Sequence, residues 1–162
     1  IKEFFSLTCG HCSNFHIKTL PQLKKKYIDT GKVQLEFIDY PLDRLAVIAA
    51  TLARSIPTKD GYIEAVSILL KKQKQWAYSK NPLNELQSIA KLFGISSKKF
   101  NDISQNIPLM QEIVTKMEKE SKNFDINSTP TFIVNDKYKI SGALSFKDFE
   151  KELLKSINAK KS

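Results

Sequence analysis

The period of the hydrophobic pattern changes twice along this chain, and those changes limit the fold more than any bulk property. Ile1 to Phe5 is β-prone and ends in a turn at Ser6-Leu7-Thr8. Cys12, Phe15/His16, Leu20, Leu23 and Tyr27 then recur at steps of three and four, the stripe of a helix with one buried face. Gly31 stops that helix, and Val33 to Ile38 alternates before turning apolar, which predicts a second strand. Strand, helix, strand is the unit that builds a parallel pair. From Leu42 to Asn123 nothing reads as a strand. Leu45/Ile48/Ala49/Leu52, Tyr62/Ala65/Val66/Leu69, Leu86/Ile89/Ala90/Phe93 and Met110/Ile113/Val114/Met117 all keep helical spacing. Strand logic then returns: Thr131 to Val134 is β-prone, Asn135-Asp136 is turn chemistry, and Tyr138 to Ser141 pairs back as a hairpin. Phe146/Phe149/Leu153/Ile157 marks the buried stripe of a last helix.

Punctuation residues set the expected boundaries. Pro21 falls inside the first helix and predicts a kink. Pro57 and Asp60-Gly61 predict a break between helices, Asn81-Pro82 reads as an N-cap with proline at the first helical position, and Gly94 reads as a helix end. Ser96 is placed to cap a short helix carrying Phe100 and Ile103. Ser145 to Asp148 resembles a capping box, with Leu144 and Phe149 as its hydrophobic staple. At 162 residues the chain fits one domain, or one domain with an inserted subdomain, and Ala159 to Ser162 reads as a disordered tail.

Chemistry concentrates in Cys9-Gly10-His11-Cys12, which holds both cysteines of the chain where the first strand hands over to the first helix. Cys9 sits at the mouth of that helix, where unpaired N–H groups and the helix dipole favour an anion. Its thiolate is expected to form below the usual pKa of about 8.5. An imidazole N–H or imidazolium from His11 close to the sulfur adds to this, and Gly10 removes bulk from the turn. The expected roles are Cys9 as attacking thiol and Cys12 as resolving thiol, their disulfide being the redox centre with no cofactor besides. A purely structural pair is the alternative reading of the same spacing. Zinc is a third, because Cys9, Cys12 and His16 have a ligand-like spacing, but a fourth ligand is missing.

The formal net charge of +9 invites a nucleic-acid reading, which residue identity argues against. Of 26 basic residues only Arg44 and Arg54 are arginine, which leaves 26 − 2 = 24 lysines. Lysine is a poor reader of bases, and the clusters Lys24 to Lys26, Lys71-Lys72, Lys98-Lys99 and Lys160-Lys161 have no aromatic residues interleaved for stacking. Solvated helix faces account for them. No apolar run approaches the roughly 20 residues of a membrane span. The chain opens inside a strand without a start Met, so it reads as a processed or trimmed fragment whose signal or anchor segment is absent.

The element order, with Glu3 to Cys12 at the front and Ser128-Thr129-Pro130-Thr131 followed by Gly142 at the back, resembles the thioredoxin superfamily. Within it the chain is most similar to the bacterial DsbA-like thiol–disulfide oxidoreductases. The resemblance implies an α/β fold, a thioredoxin fold with an inserted α-helical domain. Residues 1–41 and 124–158 would then be the two parts of the thioredoxin unit, 42–123 the insert over the active site, and 159–162 the tail. It implies that Pro130 is cis and lies against the disulfide, so that Thr129 and Gly10 flank an extended substrate. Glu3, six residues before Cys9, matches the family's buried acid, which would carry the proton of Cys12. Trp76 and Tyr78 are candidates for the rim of an apolar peptide groove or, equally, for the core. His16 stands where the family's well-studied oxidase has an acid, and reads as a partly buried helix residue without a chemical role. Gly10 and Thr129 replace that oxidase's proline and valine and look like protein disulfide isomerase. The implied activity is introduction of disulfides into reduced or unfolded exported proteins, with a membrane DsbB-like reoxidant, in the periplasm or another extracytoplasmic space. Isomerase, reductase and non-catalytic surface or chaperone readings share the fold. No segment is left over for a dimerisation domain, which favours a monomer.

Overall fold

In the computed structural model, which describes residues 1–158, a four-stranded sheet of order β2-β1-β3-β4 carries the fold. The tail expected at 159–162 lies outside the described residues. β1 (Lys2–Phe5) and β2 (Glu36–Asp39) run parallel, with Lys2 opposite Glu36 and Phe5 opposite Asp39. The crossover between them is α1 (Gly10–Lys18), α2 (Leu20–Leu23) and a wider π turn over Lys24–Ile28. Pro21 therefore does more than kink one helix. Lacking an N–H, it cannot continue the α1 ladder, and the helix breaks at Thr19 and restarts. The second strand begins at Glu36 rather than Val33, because its pairing with β1 starts only opposite Lys2.

β3 (Thr131–Val134) runs antiparallel on the other side of β1, and β4 (Tyr138–Ser141) folds back on β3. Asn135 and Asp136, at φ 52° and 56°, supply the left-handed turn that a tight hairpin needs. β1 is thus central. Its Glu3 lies between Phe37 of β2 and Phe132 of β3 in one cross-strand row, beneath α1. Phe4 points to the opposite face, against Ile38, Ile126 and Ile133. The last helix, α9 (Phe146–Asn158), closes a cluster of Phe15, Phe132 and Phe149 over the α1 face, with Ser145 and Asp148 bonded to each other as its cap. Ile157 is exposed and Ser156 takes the inward position instead.

Six helices fill the chain between β2 and β3: α3 (Arg44–Arg54), α4 (Lys59–Lys71), α5 (Gln73–Trp76), α6 (Pro82–Lys91), α7 (Ser97–Ser104) and α8 (Ile107–Phe124). They share a core of Leu52, Val66, Leu69, Trp76, Leu86 and Phe100 that is continuous with Phe5, Leu7 and Cys12. Asp60-Gly61 does not break a helix: it forms the first turn of α4, and Thr58 caps that turn through the Gly61 N–H. A side chain at Gly61 would meet Thr58 and Ile56 at under 3 Å, so glycine serves close packing there. Ser96 caps α7 as the pattern predicts, whereas the Asn81 side chain caps nothing. Trp76 is core, not rim. It is fully buried, and its indole N–H donates to the Leu69 carbonyl at 2.8 Å.

Candidate active site

The turn after β1 delivers Cys9 to the head of α1. Its N–H donates to Ser6 O at 3.1 Å, and Thr8 Oγ1 is tied to Asp43 Oδ2 at 2.9 Å. Cys9 has extended backbone (φ −82°, ψ 117°) and is itself the cap of α1: its sulfur accepts from the Cys12 N–H at 3.4 Å. A sulfur in the place where serine or aspartate usually caps is a sulfur held ready as an anion. Its thiol is accordingly lowered to about 5. The hydrogen bond from the Cys12 side chain does most of this against the cost of burial, and the Thr129 side chain and the N–H groups of Cys12 and His11 add to it.

Cys12 behaves in the opposite way. It is 0 % exposed against 8 % for Cys9, and burial first, then its bond to and charge repulsion with Cys9, push its thiol well above the ordinary range. Both cysteines are free thiols here. The sequence pattern suggested the His11 imidazole close to the Cys9 sulfur, and the structure differs on that point. Cys9 is mostly covered, with only an edge open to solvent. His11 is exposed, and it reaches the sulfur through its backbone N–H rather than its ring.

Across the turn, the Thr129–Pro130 peptide bond is cis, and the Cys9 thiol donates to the Thr129 carbonyl at 3.6 Å. Pro130 is buried, its carbonyl held by the Gly142 N–H at 2.9 Å, and Thr131 Oγ1 donates to Ser128 O at 2.8 Å. Gly10 is exposed beside the sulfur, and a side chain there would make ordinary contact with the Tyr78 hydroxyl at 3.8 Å and Gln73 Oε1 at 4.0 Å. Tyr78, 65 % exposed, is thus the aromatic residue that stands beside Gly10. Beneath α1, Glu3 is wholly buried, and its charge is one of the influences raising Cys12. His16 is no bystander: its Nε2 lies 2.9 Å from Glu3 Oε1.

Gln73 was not legible as a site residue. It begins α5, is 2 % exposed, and its Nε2 donates to the carbonyls of Leu7 at 2.8 Å and Cys9 at 2.9 Å. Ser13 Oγ adds a bond from α1 to Leu70 O at 2.7 Å. These bonds lock the cysteine turn to the helical stretch. Among the described residues, no three His, Cys, Asp or Glu side chains converge as a metal site would, and no helix is long and apolar enough to cross a membrane.

A paired thiol of this kind, one held as an anion and one protonated behind it, lies beside a cis-proline turn that leads into an inner strand of the sheet. A family model described as thioredoxin matches residues 1–155. The chain belongs to the thioredoxin family. This thioredoxin-family chain is DsbA-like in detail. Its backbone follows that of Wolbachia pipientis alpha-DsbA1 with a TM-score of 0.84 and 30% identity, covering 95% of this chain and 83% of that one. A "Putative protein-disulfide oxidoreductase" of Rickettsia typhi is 32% identical over 135 residues, 83% of this chain and 50% of that protein. The thiol:disulfide interchange protein DsbA of Buchnera aphidicola is 26% identical over 147 residues, 86% of this chain and 66% of that protein. The chain spans about half the length of the first curated relatives it matches.

The lowered Cys9 thiol has a thermodynamic consequence that can be measured. Its folded pKa of about 5 lies below the roughly 8.5 of an unfolded cysteine. The thiolate therefore stabilises the reduced fold fully above about pH 8.5, and this contribution is lost as pH falls toward about 5. The oxidised protein has no such group to titrate. Urea unfolding of both forms should show the stability of the reduced form falling relative to the oxidised form across that window, by up to roughly 1 kcal/mol per pH unit. A difference that stays flat over the window would contradict the assignment of Cys9 as the thiolate.

Proposed function

We propose that this chain is a thiol–disulfide oxidoreductase that introduces disulfides into exported proteins by exchange through Cys9–Cys12. The observation that carries the reading is the asymmetry of the pair: a Cys9 thiol lowered to about 5 at the head of α1, and a buried Cys12 held protonated behind it. A substrate thiolate attacks Cys9 Sγ of the oxidised pair, the S–S bond breaks, and its electron pair moves to Cys12, which takes up a proton. The substrate's second thiolate then attacks its own sulfur in the mixed disulfide, and Cys9 leaves as a thiolate. The substrate is oxidised by two electrons and the pair is reduced. Because Cys9 is stabilised as an anion only after the disulfide opens, the reaction is driven toward substrate oxidation.

Other residues take supporting roles. Glu3 supplies the proton to Cys12, the N–H groups of His11 and Cys12 hold the thiolate, and Gly10 leaves the approach open. Thr129 and Pro130 bring the substrate in as an extended strand, and the helical stretch 42–123 acts as the insert over the site, with Tyr78 at its rim. The disulfide is itself the oxidant, so the cycle draws on no bound cofactor. The partners are reduced or unfolded exported proteins and a DsbB-like membrane reoxidant, in the periplasm or another extracytoplasmic space, and the chain acts as a monomer. Gly10 and Thr129 favour a second reading, an isomerase of moderate potential. Oxidation of reduced ribonuclease, refolding of scrambled ribonuclease and reduction of insulin, run in parallel, separate these readings. The proposal expects the first to dominate and the potential to fall between about −180 and about −120 mV. A potential near about −270 mV with insulin reduction dominant would replace it with a reductase.

A further inference from the structure

Cys12 and His16 lie four residues apart on α1 and so share its buried face, over the cross-strand row that contains Glu3. His16 Nε2 and Glu3 Oε1 are 2.9 Å apart, with side chains only 3 % and 0 % exposed. The rings of Phe5, Phe15 and Phe37 enclose the imidazole at centroid distances of 6.1, 5.9 and 5.4 Å. Burying an acid and a base in such surroundings costs several kcal/mol unless every polar atom is matched. Among the described residues, however, Glu3 Oε2 has no hydrogen-bond partner, and neither has the buried Tyr62 hydroxyl. Buried polar atoms are nearly always paired, so the free oxygen of Glu3 calls for an explanation. One oxygen held by an imidazole and the other left free is the arrangement of a carboxylate that must receive and return a proton.

We propose that His16 and Glu3 form a single proton-carrying unit for Cys12, with His16 acting through Glu3 as a positioning residue that shares the proton. This rests on the exchange chemistry proposed above and assigns the path of its proton. In the loaded state the pair holds one mobile proton and is neutral overall. When the Cys9–Cys12 bond opens, the electron pair moves to Cys12 Sγ, the proton follows, and the unit is left as a carboxylate bonded to a neutral imidazole. When Cys12 attacks a mixed disulfide at Cys9, its sulfur bonds to Cys9, the substrate thiolate leaves, and the Cys12 proton returns to the unit. The imidazole matters because it keeps the emptied carboxylate hydrogen-bonded in a region that water does not solvate. The other charged and titratable groups nearby are Tyr62, Arg54 and Asp39, a buried carboxyl that burial raises and that is paired with Arg54. Tyr62 of α4 is kept protonated by burial and by Asp39, and Arg54 of α3 is bound to Asp39 at 2.7 Å while it covers the Tyr62 ring.

His16→Gln tests this, because glutamine can still donate an N–H to Glu3 but cannot carry a proton. One equivalent of dithiobisnitrobenzoate with the reduced protein releases chromophore in two phases, the first from Cys9 attack and the second from closure by Cys12. The variant should keep the first phase within about twofold and slow the second by about tenfold or more at neutral pH, with the deficit shrinking as the solution is made alkaline. A second phase unchanged in rate would overturn the proposal. If the variant does not fold, nitrogen NMR of histidine-labelled wild-type protein decides: the His16 ring signals should change protonation state between reduced and oxidised forms, and identical signals would refute the shared proton. Wild-type protein that releases only the first equivalent would sink the exchange reading itself, whereas normal closure in the His16 variant sinks only the proton unit.

Discussion

Cys9→Ala should abolish exchange with a disulfide such as oxidised glutathione, and Cys12→Ala should turn the protein into a trap for it. With its thiol near 5, Cys9 is about 99 % thiolate at neutral pH, whereas burial keeps Cys12 protonated and out of solvent. In the Cys12→Ala protein, Cys9 attacks glutathione disulfide and expels one glutathione thiolate, and no second thiol is present to close the ring. The mixed disulfide should accumulate and be visible as one glutathione adduct by mass spectrometry. Wild-type protein should pass through the same adduct and finish as the intramolecular disulfide. Initial attack by the Cys9→Ala protein should be slower on the order of a thousandfold, since only a buried, protonated thiol is left. Comparable adduct formation in the two variants would reverse the assignment of attacking and resolving thiols. The same variant should hold an oxidised protein whose disulfide Cys9 attacks, which is the reverse of the exchange proposed above.

The parts of this molecule that were legible in its sequence are those fixed by neighbours in the chain. Cys9 caps α1 because the first free N–H groups of a helix lie three residues on, so the spacing to Cys12 alone places the sulfur. Asn135-Asp136 makes its hairpin for an equally local reason, being tolerant of left-handed backbone. Glu3 was readable through its place six residues before Cys9, which the family resemblance marks as a buried acid, with Phe4 and Phe5 beside it agreeing that the strand is buried. The contribution of His11 was legible only by type: proximity in sequence suggested the ring, but a residue in the first turn of a helix aims its N–H at the cap and its side chain outward. His16 and Trp76 show the other limit. A histidine on an apolar face and a tryptophan near a rim acquire their roles from partners distant in sequence, Glu3 across 13 residues and the Leu69 carbonyl inside the helical core. Asp60-Gly61 misled for a related reason: its composition signals a turn, whereas the glycine is there to let Thr58 cap a helix at close range.

Gln73→Leu should cost about 2–4 kcal/mol of stability and loosen the reactive cysteine, although Gln73 touches neither sulfur. Its one amide nitrogen supports two buried carbonyls, Leu7 O and Cys9 O, on either side of the turn that presents the thiol. Leucine has similar bulk but no donor. The Cys9 carbonyl would keep its bond from the Ser13 N–H at 3.1 Å, so the larger penalty falls on Leu7, whose carbonyl loses this donor in a dry core. Urea unfolding should register the loss, and alkylation of the reduced protein should show Cys9 reacting with a shifted pH dependence as its turn relaxes. Gln73→Glu separates hydrogen bonding from packing. A carboxylate at this place would face two carbonyl oxygens and be more destabilising than leucine at neutral pH, but a protonated carboxyl can donate to one of them. Burial and the two carbonyls raise its pKa above the unfolded value of about 4.3, so the glutamate variant should gain stability relative to leucine as pH falls. If instead the leucine variant unfolds within about 0.5 kcal/mol of wild type, the two bonds do not hold the turn, and the helical stretch would have to position Cys9 through packing and the Ser13 to Leu70 bond alone.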